Sequence, residues 1–394
     1  FHTGDKQNMI SQEFVFKSVK DSKYDWLFGA YGFYQNMDQQ TTGDIFTAKM
    51  EQDIRSGFDI SGLALFHQST LNDFLFENLT LTAGIRLDLE KDKLDYSLAM
   101  AVNGGPWNTT VDENYEETFT QVLPKLSLKY KFNNSLNSYA TVSKGYKSGG
   151  FNTNSSIDIS EFRSYDAENS WNYELGFKSS MLNHRLYFDA AVFYIDWTDQ
   201  QIDVPVPGGR GNMKTNAGES VSKGVELFVK GRPFKNFEVT IGYGYTHASF
   251  KEYVLYEEID VKNEQGQIVG SELVEVGNYN DNSIPYVPKS TLNVGLNKIF
   301  EFENGFLNKM VANLNYRGVG EHYWDLSNSV SQDYYGLFDA KLSFVTGRVQ
   351  LDIWGKNIFD TSYNAYYFEI RQLNNSYVQA GRPATMGVNL KVTF

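Results

Sequence analysis

Residues 384–394 of this chain, ATMGVNLKVTF, alternate strictly between apolar and polar side chains. Ala384, Met386, Val388, Leu390, Val392 and Phe394 fall on one face of a strand, and Thr385, Gly387, Asn389, Lys391 and Thr393 on the other. Successive side chains of a strand project to opposite faces, so this segment meets an apolar medium on one side and water on the other. One such strand would suit any core. Here the pattern recurs about fifteen times, with long connections alternating with tight turns. That arrangement predicts an all-β fold, a transmembrane antiparallel β-barrel.

Composition agrees with that medium. A mean hydropathy of -0.43 is that of a polar protein, and the chain has no run of about 18 apolar residues to form a membrane-spanning helix. Alternation reconciles so polar an average with a bilayer, because half of each strand faces a wet lumen. Aromatic residues make up 15% of the chain, which supplies the interfacial girdles that such barrels carry. With no cysteine, disulfides and thiolate metal sites are excluded. The net charge of -13 disfavours nucleic acid as a partner. Acid is concentrated at 112–117 and 256–260, both expected in loops.

The alternation places strands at 8–19, 23–35, 58–69, 75–90, 118–131, 135–147, 168–180, 184–198, 219–231, 235–249, 288–300, 306–318, 335–345, 348–357 and 383–394. In one of them Leu79, Leu81, Ala83, Ile85, Leu87 and Leu89 oppose Thr80, Thr82, Gly84, Arg86, Asp88 and Glu90. Arg or Lys on the lipid face would cost roughly 2–4 kcal/mol at the midplane, so the charged face points into the lumen. Short connections lie near 20–22, 70–73, 133–134, 181–183, 232–234, 301–305 and 346–347. Long ones run near 36–57, 91–117, 148–167, 199–218, 250–287, 319–334 and 358–382. Short turns belong on the periplasmic side and long loops outside.

A bacterial single-chain barrel has an even number of strands. Fifteen strands therefore predict further ones; seven more would make 22. The chain opens at Phe1 without Met and without a signal peptide, which predicts a processed product or a piece of something longer. Residues 1–394 are accordingly expected to be one unit, a C-terminal barrel segment. Alone it would expose two unpaired strand edges, which lipid does not tolerate.

Several segments resemble, in order, the barrel of TonB-dependent outer-membrane receptors. They are VSKGYKSGGFN at 142–152, NYELGFKSS and LYFDAAVFYIDW within 170–197, SKGVELFVK at 222–230, PYVPKSTLNVGL at 285–296, DIWGKNIFDTSY at 352–363 and GRPATMGVNLKVTF at 381–394. The likeness is to the iron-complex, siderophore-type branch. It implies a Gram-negative outer-membrane protein that captures a ferric siderophore or similar chelate in its outer loops. Import then draws on the TonB-ExbB-ExbD complex acting through an N-terminal plug. Nothing in the 394 residues corresponds to that plug or to a TonB box. A plugless passive porin and a surface receptor or adhesin are the alternatives.

Candidate ligand contacts lie in the long loops. Arg163, Arg210 and Arg371 offer planar, permanently charged donor forks suited to anionic chelates. Arg163 could instead pair with Glu161, and Arg371 with Glu369. Lys147 sits at the start of a long loop. His322, Tyr323 and Trp324, followed by Asp325, combine aromatic and polar groups that suit an organic metal chelate, or an aromatic girdle or loop packing. The glycines of GYKSGG at 145–150 are expected to relieve crowding where a strand bends into its loop, since no helix follows to cradle a phosphate. His2, His67, His184 and His247 are scattered and lack metal-ligand spacing. No enzyme activity and no cofactor is indicated.

Overall fold

The computed structural model describes residues 2–19, 22–45, 49–154, 163–205, 212–216, 218–262, 268–303, 305–370 and 375–394. Fifteen strands form one antiparallel sheet in chain order. They are β1 (His2–Lys17), β2 (Tyr24–Ile45), β3 (Met50–Leu71), β4 (Leu79–Val102), β5 (Asn108–Asn133), β6 (Leu136–Lys147), β9 (Glu168–Met181), β10 (Leu186–Thr198), β13 (Glu219–Phe234), β14 (Phe237–Glu252), β17 (Ser290–Glu301), β18 (Lys309–Val319), β21 (Tyr335–Thr346), β22 (Val349–Lys356) and β25 (Thr385–Val392). The remaining strands pair off as small hairpins in the long connections. They are β7 (Gly150–Phe151) with β8 (Ser164–Tyr165), β11 (Gln201–Pro205) with β12 (Asn212–Asn216), β15 (Val254–Lys262) with β16 (Ile268–Asn278), β19 (His322–Tyr323) with β20 (Ser331–Gln332), and β23 (Asn364–Ile370) with β24 (Asn375–Ala380). All five lie at the rim opposite the short turns. Within the sheet β1 pairs only with β2 and β25 only with β22, so both edges are open among the described residues.

All fifteen strands expected from alternation are present. From β6 onward their ends fall within three residues of the expected ones. The first five differ. The connections expected at 36–57 and 91–117 are mostly strand, because β2 to β5 run 22, 22, 24 and 26 residues. The acidic stretch at 112–117 therefore lies on β5 rather than in a loop. Residues 75–78, expected in a strand, belong to the turn before β4, where the Asn78 amide donates to Asp73 at 2.6 Å.

The reason is a change in the sign of amphipathicity along the same strands. Register aligns Phe14, Ala30, Leu65, Leu87 and Val122 across β1 to β5, all on one face, which we call outer. Six residues higher on each strand, that face carries Asn8, Asn36, Asp59, Lys93 and Glu116. The inner face changes the opposite way. Glu13, Tyr31, Ala64, Asp88 and Gln121 align low on it, and Gln7, Met37, Phe58, Leu94 and Tyr115 align high. Lys91 and Lys93 both pair with Glu116 on the outer face, the latter at 3.1 Å. The outer apolar band on β4 thus ends at Leu89. From Leu79 to Leu89 a tilted strand covers about 25 Å, the height of a barrel's lipid-facing band. Above it, outer side chains meet water and inner ones pack on one another.

Glycine is required at Gly218, before β13, where φ is +80° and a Cβ would collide with the Glu252 carbonyl oxygen. Gly218→Ala is expected to destabilise the β13–β14 pairing by more than about 1 kcal/mol, read as an earlier unfolding midpoint with the strand content otherwise kept.

Candidate functional site

The high inner face of β3 to β5 carries a buried cluster of Ile54, Leu94, Tyr96 and Leu98. Phe58, Met100, Val111, Tyr115 and Phe151 pack against it. Phe151 comes from the connection between β6 and β9, whose residues 148–154 and 163–167 lie across this face as a strap. Its glycines explain how it lies so close. A Cβ at Gly149 would strike the Phe119 ring and the Tyr165 carbonyl oxygen. The expectation that the GYKSGG glycines relieve crowding is met at this position.

Arg163 closes the strap. It is 3% exposed, and its guanidinium carbon lies 4.2 Å from the Tyr96 ring centroid and 5.7 Å from that of Tyr115. Its Nη1 donates to the Asn152 carbonyl at 2.9 Å. A guanidinium on aromatic faces gains more when water is excluded, as here. Burial raises the Tyr96 phenol above its ordinary range, and the Arg163 charge offsets part of that. Asn152 ties the strap to the next hairpin. Its side chain accepts from the Lys214 amide at 2.7 Å and donates to the Lys214 carbonyl at 2.8 Å, as a strand neighbour would.

A second cluster gathers over β17 and β18. The His322 ring meets Trp324 edge-on at 4.6 Å, and Tyr286 meets Trp324 at 5.1 Å. His322 Nδ1 lies 3.1 Å from the Gly320 carbonyl, and His322 and Trp324 are both buried. Tyr286 donates to the Tyr367 carbonyl at 2.6 Å, linking this cluster to β23. Burial first, then the neighbouring Tyr366, pushes the Tyr286 phenol up to about 12. Lys289 lies 5.2 Å from the Tyr323 ring centroid and pairs with Glu321 at 2.5 Å. Asp325 caps the turn of the β19–β20 hairpin, accepting from the Val330 amide at 2.8 Å and the Ser329 hydroxyl at 2.7 Å. Burial raises its pKa, but these hydrogen bonds and that from Ser327 outweigh it, leaving the carboxyl below its ordinary range.

The candidate residues therefore separate. Arg163 belongs to the first cluster, and His322, Tyr323 and Trp324 to the second. Lys147 is exposed at the end of β6, opposite Glu168 in register. Glu168 is itself buried and accepts from the Gln201 amide at 2.8 Å. Arg210, Arg371 and Glu161 lie outside the described residues, as does the side chain of Glu369. Among the described residues no group of three or more His, Asp or Glu side chains is placed to hold a metal ion. Sequence reasoning missed Tyr96, Asn152 and Tyr286. For Tyr96 a signal existed, since Leu94, Tyr96 and Leu98 continue the period-two apolar pattern of β4 in the opposite phase.

The family described as TonB dependent receptor-like, beta-barrel matches residues 3–358. The chain is 27% identical over 330 residues to the pesticin receptor of Yersinia pestis, covering 83% of this chain and 43% of that receptor. It therefore spans less than half the length of that relative. The fold is shared with the ferric yersiniabactin uptake receptor FyuA from Yersinia pestis, at a TM-score of 0.79 and 23% identity over 100% of this chain and 55% of that one. It is also shared with the ferric citrate transporter FecA, at a TM-score of 0.64 and 15% identity over 100% and 62% of the two chains. The family match over most of the sequence, on an antiparallel sheet whose outer apolar band has the height of a bilayer core, shows that the chain belongs to the TonB-dependent receptor β-barrel family.

Proposed function

We propose that this chain is the C-terminal barrel segment of a Gram-negative outer-membrane importer that captures a ferric siderophore or a similar iron chelate. The observation that carries the reading is the match across 83% of the chain to a receptor. The same high rim that bears five loop hairpins presents an unburied cation and aromatic, Lys147 and Tyr323, groups of the kind that hold organic chelates. The uptake receptor FyuA and the transporter FecA, both for ferric complexes by name, support the ligand class. Further strands completing the two open edges, a plug in the lumen and energy from the TonB-ExbB-ExbD complex belong to this reading. So does its place in outer-membrane lipid.

Within it, Lys147 and Tyr323, which are not buried, contact ligand, together with Arg210 and Arg371. Arg163, His322 and Trp324 hold the loops that present them. The role is that of a transporter and receptor, with no catalysed reaction. Deleting the gene and following ferric-chelate uptake under iron starvation tests the proposal. Loss of uptake of one chelate class, restored by the gene in trans, is the expected result. Unchanged uptake of every chelate tried, with growth equal to the parent strain, would overturn it.

A further inference from the structure

Asp92 lies on the inner face of β4, level with Lys91 and Lys93 and therefore above the outer apolar band. It is 5% exposed, and among the described residues its Oδ1 has no hydrogen-bond partner. A carboxylate held in that way is costly, since burial removes water and nothing replaces it. Among the described residues, no positive charge offsets its own. On its own strand Glu90 repels it. On β5 the residue in register is Glu117, and Phe119 stands opposite Glu90. On β3 the residue in register is Ile60, which does not titrate. From the strap, the Tyr165 phenol lies close enough to feel the charge of Lys214 on the β11–β12 hairpin, that of Asp92, and that of Asp203 on the same hairpin. Lower on β4, Arg86 is committed to Asp88 at 2.8 Å. Higher, Arg163 is stacked on Tyr96.

We propose that Asp92 is a proton-operated latch for the strap, holding residues 148–154 and 163–167 down on the inner face of β4 and β5 while its carboxyl is protonated and releasing them when it ionises. The strap covers this part of the wall, with Gly149 against Phe119, Phe151 near Tyr115 at 6.3 Å between ring centroids, and Arg163 over Tyr96. Lifting it admits water to the row that includes Asp92. Burial, then the Glu90 charge, pushes the carboxyl up to about 7 in the closed form. Once wetted it returns toward the ordinary carboxylate value of about 4. The closed form therefore binds the extra proton. Closure is complete below pH 4, weakens as pH rises from there to about 7, and changes no further above 7.

Each pH unit well inside that window shifts the opening equilibrium about tenfold, and pH 5 to 7, whose upper end sits at the window's edge, spans about fiftyfold. Amide hydrogen exchange of the two strap segments in the intact receptor reads this directly, once rates are normalised to an unstructured peptide at each pH. Wild type is expected to lose about fiftyfold of protection from pH 5 to pH 7, and Asp92→Asn to show no such dependence. Glu90→Gln, which removes the like charge, is expected to move the window to lower pH. A strap equally protected at pH 5 and 7 in wild type would overturn the proposal. So would an Asp92→Asn strap that keeps the wild-type response. Because exchange is measured without any chelate, the result is independent of the importer reading.

Discussion

Arginine in place of Leu87 is expected to lower the stability of the inserted protein by roughly 1–2 kcal/mol. Leu87 lies one outward residue below the end of the apolar band, between the midplane, where a guanidinium on a barrel's lipid face costs most, and the interface, where it costs least. Leu87 is 47% exposed and stands in the row with Phe14, Ala30, Leu65 and Val122, with no cation or acid among them. Its chain neighbours Arg86 and Asp88 already place charge one residue away, but on the inner face, where they pair. Charge at this depth is thus tolerated on one face only. Urea unfolding of the intact receptor from lipid vesicles measures the effect. A Leu87→Arg midpoint equal to wild type would remove Leu87 from the lipid-facing band and with it the assignment of the outer face.

Leu94→Ala on the same strand is expected to cost about 2–5 kcal/mol, for a different reason. Leu94 is 0% exposed and packs with Ile54, Tyr96 and Leu98, so truncation leaves a void beneath the strap. Leu89→Ala, also a leucine of β4 but 47% exposed on the outer face, leaves no enclosed void. The two alanine variants separate packing from lipid contact. Strap protection and thermal stability should fall in Leu94→Ala and hold in Leu89→Ala. Equal losses in both would mean that the high inner face is not a packed core.

The sequence was most legible where one periodicity governed a whole strand. From β6 onward the strands of the fifteen-stranded sheet are 8 to 16 residues long, and most of that length alternates in one phase. On β2 to β5 the phase changes partway, and reading the polar outer residues as loop cut those strands short. Lys91, Lys93 and Glu116 look like loop residues because they are charged, yet they sit in register on paired strands. The candidate site was less legible. Arg163 was singled out for its chemistry, but that it stacks on Tyr96, 67 positions away in the chain, follows from β4 and the strap meeting in space. The environment of Asp92 is of the same kind, since nothing in its local sequence distinguishes it from the neighbouring Asp88, which is paired with Arg86.

What the sequence alone determined was the medium on each side of the strands within the apolar band, the order of strands and the rim that bears the long loops. Those properties are local, because side-chain period and turn length fix them within a few residues. Only the tertiary structure decided which side chains share an enclosed space. The Tyr96–Arg163 stack, the Asn152 tie to β12 and the uncompensated Asp92 each depend on segments far apart in the chain. Burial turns the same residue types from solvated surface groups into costly or tightly held ones, and burial is set by the fold.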